Sequence, residues 1–367
     1  MGIASLQERE EDHELLQELR RMLVATAGQD KPQLPQKCFS SKSASTDDSE
    51  EKLVCVTSGV SFLSLAVVNC LLLRGYSVRI IVDNSVAVDV EKLREMTTAN
   101  VNVTVVMAKL AEIESLSQAF QGCRGVFHTS GFTDPAGLSG YTKSMAEIEV
   151  KASENVMKAC AVTPSVRKCV LTSSLVACVW QEQDNSQHDL FTMPVINHES
   201  WSNESLCIDK KLWYALGKLR SEKAAWTVAK ENGLKLTTVC PGLITGPEFC
   251  SRNLTATIAY LKVAQEMFQN GVLATVDVMR LAEAHISVYE AMNASAFGRY
   301  ICFDQVITTE REAEKLAGET SMSKTKICGH DGGSTDRHIR YELSNKKLTN
   351  LMSRTLRSCY NQNQQYY

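Results

Sequence analysis

The chain has 367 residues, 44% of them apolar, and a formal net charge of -3. That length serves one large α/β domain with additions or two domains, and the apolar share builds a real core. So small a net charge sets up no field favouring nucleic acid or an anionic membrane surface. The opening MGIASLQEREEDHELL lacks the basic-then-apolar order of an export signal. The most apolar segments are broken by Asn69, Arg74 or Arg79 before they could span a bilayer. The 13 cysteines include no C-x-x-C pair. They read as reduced thiols of a cytoplasmic protein, with Cys55 and Cys169 in the core.

In chain order, Leu15, Leu16, Leu19, Met22 and Leu23 recur at helical spacing, with acids early and Arg20 and Arg21 late. This predicts an N-terminal helix within residues 1–27, free to dock on the body or on a protein partner. Residues 28–51, GQDKPQLPQKCFSSKSASTDDSEE, are polar and rich in Pro and Ser, the composition of a flexible linker. From Leu53 strand and helix alternate. VCVTS is a strand, 64–74 a helix ended by Gly75, and SVRIIVD the second strand. VNVTVVM, IESLSQAF and GVFHTS follow as strand, helix and strand. A helix over 144–161 packs through Ala146, Val150, Ala152, Val156 and Ala159. RKCVLTSS, a helix over 213–232 and LKLTTVC complete the series. Continuous apolar strands alternating with helices predict an α/β fold of the Rossmann type. Its doubly wound parallel sheet is covered on both faces and spans residues 52–241.

After Pro241 the rhythm breaks. Residues 242–367 read as a smaller mixed region that covers the substrate, with a strand and a helix returning to the core. The tail YELSNKKLTNLMSRTLRSCY reads as a basic helix, packed on the body through Leu343, Leu348 and Leu351. Cys328, His330 and His338 lack a second pair of ligands, so no metal is expected.

Two stretches point to chemistry. VTSGVSFLS, at the first strand-to-helix turn, stands where a glycine-rich turn admits a pyrophosphate, yet it carries Ser58, Ser61 and Ser64 around one glycine, Gly59. Further on, TSS at 172–174 ends a strand and YALGK opens a helix. Tyr214 and Lys218, four apart, share a helical face. A lysine ammonium near a phenol favours the phenolate, which a tyrosine needs for acid–base work near neutral pH. Ser174 would hold a substrate carbonyl, Tyr214 would give it a proton, and a hydride would arrive from a nicotinamide. His128, after the fourth strand, reads as a packed or pocket-edge histidine.

These residues resemble a known family. VCVTSGVSFLSLAVVNCLLLRGYSVR, GCRGVFHTSG, VRKCVLTSSLVACV, WYALGKLRSEKAAW, LTTVCPGLITGP, LAEAHISVYE and GRYICFD are similar to extended short-chain dehydrogenases/reductases. The nearest likeness is to the cinnamoyl-CoA reductase and dihydroflavonol reductase group of plants. The resemblance implies a catalytic triad of Ser174, Tyr214 and Lys218, with Ser173 as the alternative serine. It implies a cofactor held by Thr57, Ser58, Gly59, Ser61, Phe62 and Leu63 of the turn, by Asp83, by Lys218 at the nicotinamide ribose, and by Pro241 beside the nicotinamide. The substrate would be a small phenylpropanoid-like carbonyl compound or CoA thioester.

The chain also departs from that family. Ser58 and Ser61 replace glycines, and Ser64 replaces glycine or alanine. Lys109 stands where an aspartate usually meets adenine, and L-W-Y-A-L-G-K replaces N-W-Y-C-Y-G-K. The family implies NADP, whereas Asp83, at the end of the second strand, suits the ribose hydroxyl of NAD. Two readings stay open: a working reductase, or a weak or inactive relative that binds nucleotide or a protein partner as a regulator.

Overall fold

The computed structural model describes residues 52–58, 61–82, 102–129, 141–182, 193–247, 249–320, 322–329 and 339–361. The expected N-terminal helix and linker lie outside these residues, as do Gly59, Asp83, His330 and His338.

The first unit is β1 (Leu53–Val56), α1 (Phe62–Leu73) and β2 (Ser77–Val82). Then come β3 (Val103–Met107), α2 (Ile113–Phe120), β4 (Gly125–His128), α3 (Lys143–Val162) and β5 (Lys168–Thr172). A short 3-10 turn, Leu175–Ala177, leads to β6 (Val195–Ile196), α4 (Glu204–Asp209), α5 (Trp213–Glu231) and β7 (Lys235–Pro241). The remainder holds β8 (Leu243–Thr245), α6 (Phe249–Arg252), α7 (Leu254–Leu261), α8 (Ala264–Asn270) and β9 (Ala274–Asp277). It ends with α9 (Val278–Ala291), β10 (Gly298–Cys302), β11 (Gln305–Val306), α10 (Glu310–Thr320), α11 (Lys324–Cys328), β12 (Glu342–Leu343) and α12 (Lys346–Asn361).

Seven parallel strands form the main sheet in the order β10-β7-β5-β4-β1-β2-β3. The strands are buried on both faces, which is why they read as continuous apolar runs. Side chains alternate between two cores. Val54 and Val56 join the core under α1 and α9, whereas Cys55 joins the core under α2, α3 and α5. After β3 the chain crosses back to the other side of β1, so the strand order reverses between β1 and β4. In sheets of this kind the ligand crevice opens at that point, beyond the carboxyl ends of the strands.

Beyond β7, β10 adds the seventh strand, and β11-β9-β8 form a small second sheet. The tail differs from its reading as one helix. Leu343 lies in β12, paired with Ile196 of β6, and the helix starts only at Lys346. Leu348 is buried against the body, and Lys347 Nζ donates to Phe297 O at 2.7 Å.

One buried histidine locks α9 to the sheet. His285 donates from Nδ1 to Leu281 O and accepts at Nε2 from the Thr172 hydroxyl, both at 2.8 Å. Burial pushes its pKa down from 6.5 to about 4, against the opposing pull of the Leu281 carbonyl. Between those values the unfolded chain binds a proton that the folded chain refuses. Stability therefore falls as pH is lowered through that window. Replacing His285 by Gln should remove about 3 kcal/mol of the stability lost between neutral pH and pH 4, read from urea midpoints measured across that range.

Candidate active site

The turn after β1 sits at the strand-order reversal. Thr57 donates its N–H to Phe127 O at 3.0 Å, and its hydroxyl meets His128 Nδ1 at 2.8 Å. Ser58 takes φ 55°, a left-handed conformation among non-glycine residues. Ser61 does not. At φ -73° it is the N-cap of α1, and its hydroxyl accepts from Ser64 N at 3.3 Å. Ser64 reaches Thr129 Oγ1 at 2.6 Å, and Thr129 donates to Thr57 O at 2.7 Å. The serines thus knit β1, α1 and β4 into one polar cluster. The side chains of Phe62 and Leu63 are buried in the core, leaving their backbone amides to head the helix.

Ser174, Tyr214 and Lys218 come together beside this turn. Ser174 is buried after β5, where its oxygen accepts from Val176 N, and its hydroxyl lies near enough to the Tyr214 phenol to act on its proton. Tyr214 is half-buried, and Lys218 Nζ lies 5.7 Å from its ring centroid. Two further residues complete the group. Glu149 on α3 places Oε1 2.5 Å from Lys218 Nζ, with both side chains buried. The Tyr141 hydroxyl donates to Glu149 Oε2, and the Tyr141 ring stands edge-on to Tyr214 at 5.1 Å. Gly217 explains the close crossing of the two helices, since a Cβ there would lie 2.7 Å from the Tyr141 hydroxyl and 3.1 Å from Ala146.

Burial raises the Tyr214 pKa. The Lys218 charge pulls it down, Glu149 pushes it up, and the Ser174 hydroxyl lowers it. Burial alone would lower Lys218, but Glu149, Tyr214 and Glu222 together outweigh it and raise the lysine's pKa. His128, fully buried, is pushed down to about 4 by burial and then by Lys218. Its Nε2 is a buried atom with no hydrogen-bond partner among the described residues.

The neighbouring serine faces elsewhere. Ser173 donates to Glu222 Oε2 at 2.6 Å, and Thr238 donates to Glu222 Oε1 at 2.6 Å. Arg299 on β10 closes this buried cluster with Nε 2.7 Å from Glu222 and its guanidinium 3.6 Å over the Trp201 ring. Ser174 therefore reaches Tyr214, while Ser173 is tied into the sheet. Pro241 ends β7 opposite Cys302 of β10. Arg79 donates to Ala119 O and Gln121 O, so it turns toward the C-terminus of α2 and away from the crevice. Lys109 pairs with Glu112 at 2.9 Å on the surface.

Over residues 55–302 the chain matches the sequence model described as the 3-beta hydroxysteroid dehydrogenase/isomerase family. The chain belongs to that family. It is 35% identical to cinnamoyl-CoA reductase 1 of Petunia hybrida, over 82% of this chain and 86% of that protein. It is 33% identical to tetraketide alpha-pyrone reductase 1 of Arabidopsis thaliana, over 72% and 79%. The crystal structure of vestitone reductase from alfalfa, Medicago sativa, is similar with a TM-score of 0.58 and 25% identity, over 82% of this chain and 91% of that one. The chain is thus an oxidoreductase of the extended short-chain dehydrogenase/reductase fold, related to the plant cinnamoyl-CoA and dihydroflavonol reductases.

This family's fold is consistent with binding NAD(P). At the turn, the N-terminus of α1 offers backbone amides and a positive helix end to a pyrophosphate, while Ser58 carries the strained backbone. Nε2 of His128, beside Thr57 at the foot of this turn, is a buried polar atom left without a partner among the described residues. These residues fit a dinucleotide, with the Ser61 side chain as the crowding element. Asp83 and Gly59 lie outside the described residues. Sequence reasoning missed Glu149, although it shares the inner phase of α3 with Ala146, Ala152 and Val156, and that phase was its signal. Tyr141 and the Glu222–Arg299 pair carried no signal in the spacing. A left-handed non-glycine residue costs about 1–2 kcal/mol, and glycine returns part of that in chain entropy. Ser58→Gly should therefore stabilise the protein by about 1 kcal/mol, as measured by urea denaturation.

Proposed function

We propose that this protein is an NAD(P)-dependent reductase of a carbonyl or CoA thioester on a phenylpropanoid-like compound. The observation that carries the reading is the grouping of Ser174, Tyr214 and Lys218 at the strand-order reversal. The relatives named cinnamoyl-CoA and tetraketide alpha-pyrone reductases support the substrate class. A bound nicotinamide would supply the hydride. Thr57, Ser58, Gly59, Ser61, Phe62 and Leu63 would hold the pyrophosphate end, and Lys218 and Pro241 the nicotinamide end. NADP follows from the family likeness, and NAD from the position of Asp83.

Ser174 donates a hydrogen bond to the substrate carbonyl and so orients it. With hydride supplied to the carbonyl carbon, the π electrons would move to oxygen, and Tyr214 would give that oxygen its proton. The product is an alcohol, and Tyr214 regains a proton from solvent. With a thioester, collapse of the first adduct breaks the C–S bond and releases a thiol and an aldehyde. Lys218 holds positive charge one turn from the phenol and favours the departure of its proton.

A second reading, a weak or inactive relative that acts through nucleotide or partner binding, is favoured by one observation. The turn combines a strained Ser58 with a Ser61 side chain that caps the Ser64 amide at the helix N-terminus, where a pyrophosphate would dock. Turnover separates the two. Tyr214→Phe should lower kcat on the best carbonyl substrate by at least about a hundredfold while leaving cofactor affinity within a few-fold. An unchanged kcat removes Tyr214 from the chemistry and with it the reductase reading.

A further inference from the structure

Glu149 is a buried carboxylate, 1% exposed, aimed at the lysine that acts on Tyr214. Its two oxygens are both engaged, one by Lys218 and one by the Tyr141 hydroxyl. A lysine favours phenolate through its positive field, and a carboxylate at 2.5 Å turns that field into one of a neutral pair. Among the described residues, these charged or titratable groups surround the phenol. Lys218 shares its helix, Glu149 faces it from α3, Tyr141 stands edge-on to it, and Tyr260 approaches from α7. His128 on β4 and Glu222 on α5 act on Lys218 from behind. Glu149 and Glu222 are the negative charges of this set, and Glu222 is tied to Arg299. Glu149 is therefore the group that offsets Lys218.

We propose that Glu149 is a positioning residue and counter-charge: it fixes the Lys218 ammonium between α3 and α5 and keeps Tyr214 in its protonated, proton-giving form. The site is then set for reduction near neutral pH, and the reverse oxidation of an alcohol, which needs phenolate as base, is confined to alkaline pH. This inference rests on the reading of Tyr214 as the proton donor. The field of Glu149 on Tyr214, opposite in sign to that of Lys218, points the same way.

The test is an NMR pH titration of protein carrying tyrosine labelled at the ζ carbon, with the Tyr214 signal assigned by its loss in Tyr214→Phe. In Glu149→Gln, which keeps the volume and an acceptor for Tyr141, the Tyr214 midpoint should fall by at least about one unit, giving about tenfold more phenolate below both midpoints. The alkaline limb of alcohol oxidation should shift with it. Where the Gln variant does not fold, Glu149→Ala is read the same way. A midpoint that stays put or rises in a folded variant overturns the proposal. The titration needs neither cofactor nor turnover, so a chain that reduces no substrate leaves its result standing, and an unmoved Tyr214 leaves the reductase reading standing.

Discussion

Two charges buried against each other, Lys218 on α5 and Glu149 on α3, constrain how the carboxyl edge of the sheet is built. Ions removed from water cost several kcal/mol each unless they are paired and hydrogen-bonded. The pair therefore holds α3 and α5 in contact at the point where Gly217 leaves room for Tyr141 and Ala146. The Ser153 and Ser221 hydroxyls meet across the same seam at 3.3 Å. With α5 so fixed, Tyr214 at its first turn is held near Ser174. One turn beyond Lys218, Glu222 binds Arg299 and ties the same helix to the seventh strand. One helix thus carries two buried ion pairs of opposite polarity, one to a neighbouring helix and one to the sheet.

The turn after β1 solves a different problem. A sequence that lacks glycine at the usual positions still makes the bend, because one residue, Ser58, accepts the left-handed conformation. The other serines take polar work that holds the bend shut. Ser61 caps α1, and Ser64 and Thr129 bridge β1 to β4. Side chains that satisfy the turn internally also stand where a phosphate would compete for the same donors.

Much of the fold was legible in the sequence because a parallel sheet covered on both faces writes its strands as unbroken apolar runs. The stretch IESLSQAF and the helix starting at Trp213 fall where the spacing put them. The serine–tyrosine–lysine group was legible for a similar reason, since helical spacing alone puts Tyr214 and Lys218 on one face. Contacts between distant segments were not. Nothing in the order of residues says that Glu149 points at Lys218, that Glu222 meets Arg299, or that Ser173 turns away while Ser174 turns inward. The tail was misread at Leu343 because a two-residue strand pairing with Val195–Ile196 has too short a pattern to separate from the helix that follows. Val150, read as a packing position of α3, is half-buried, and the inward phase runs through Glu149 instead.

The central claim is that this crevice takes a nicotinamide dinucleotide despite its serine turn. The direct measurement is a titration of the purified protein with NADPH and with NADH, following nicotinamide fluorescence. The account predicts saturable binding of at least one of them well below millimolar concentration. No binding of either up to about a millimolar, which corresponds to about -4 kcal/mol, would contradict it.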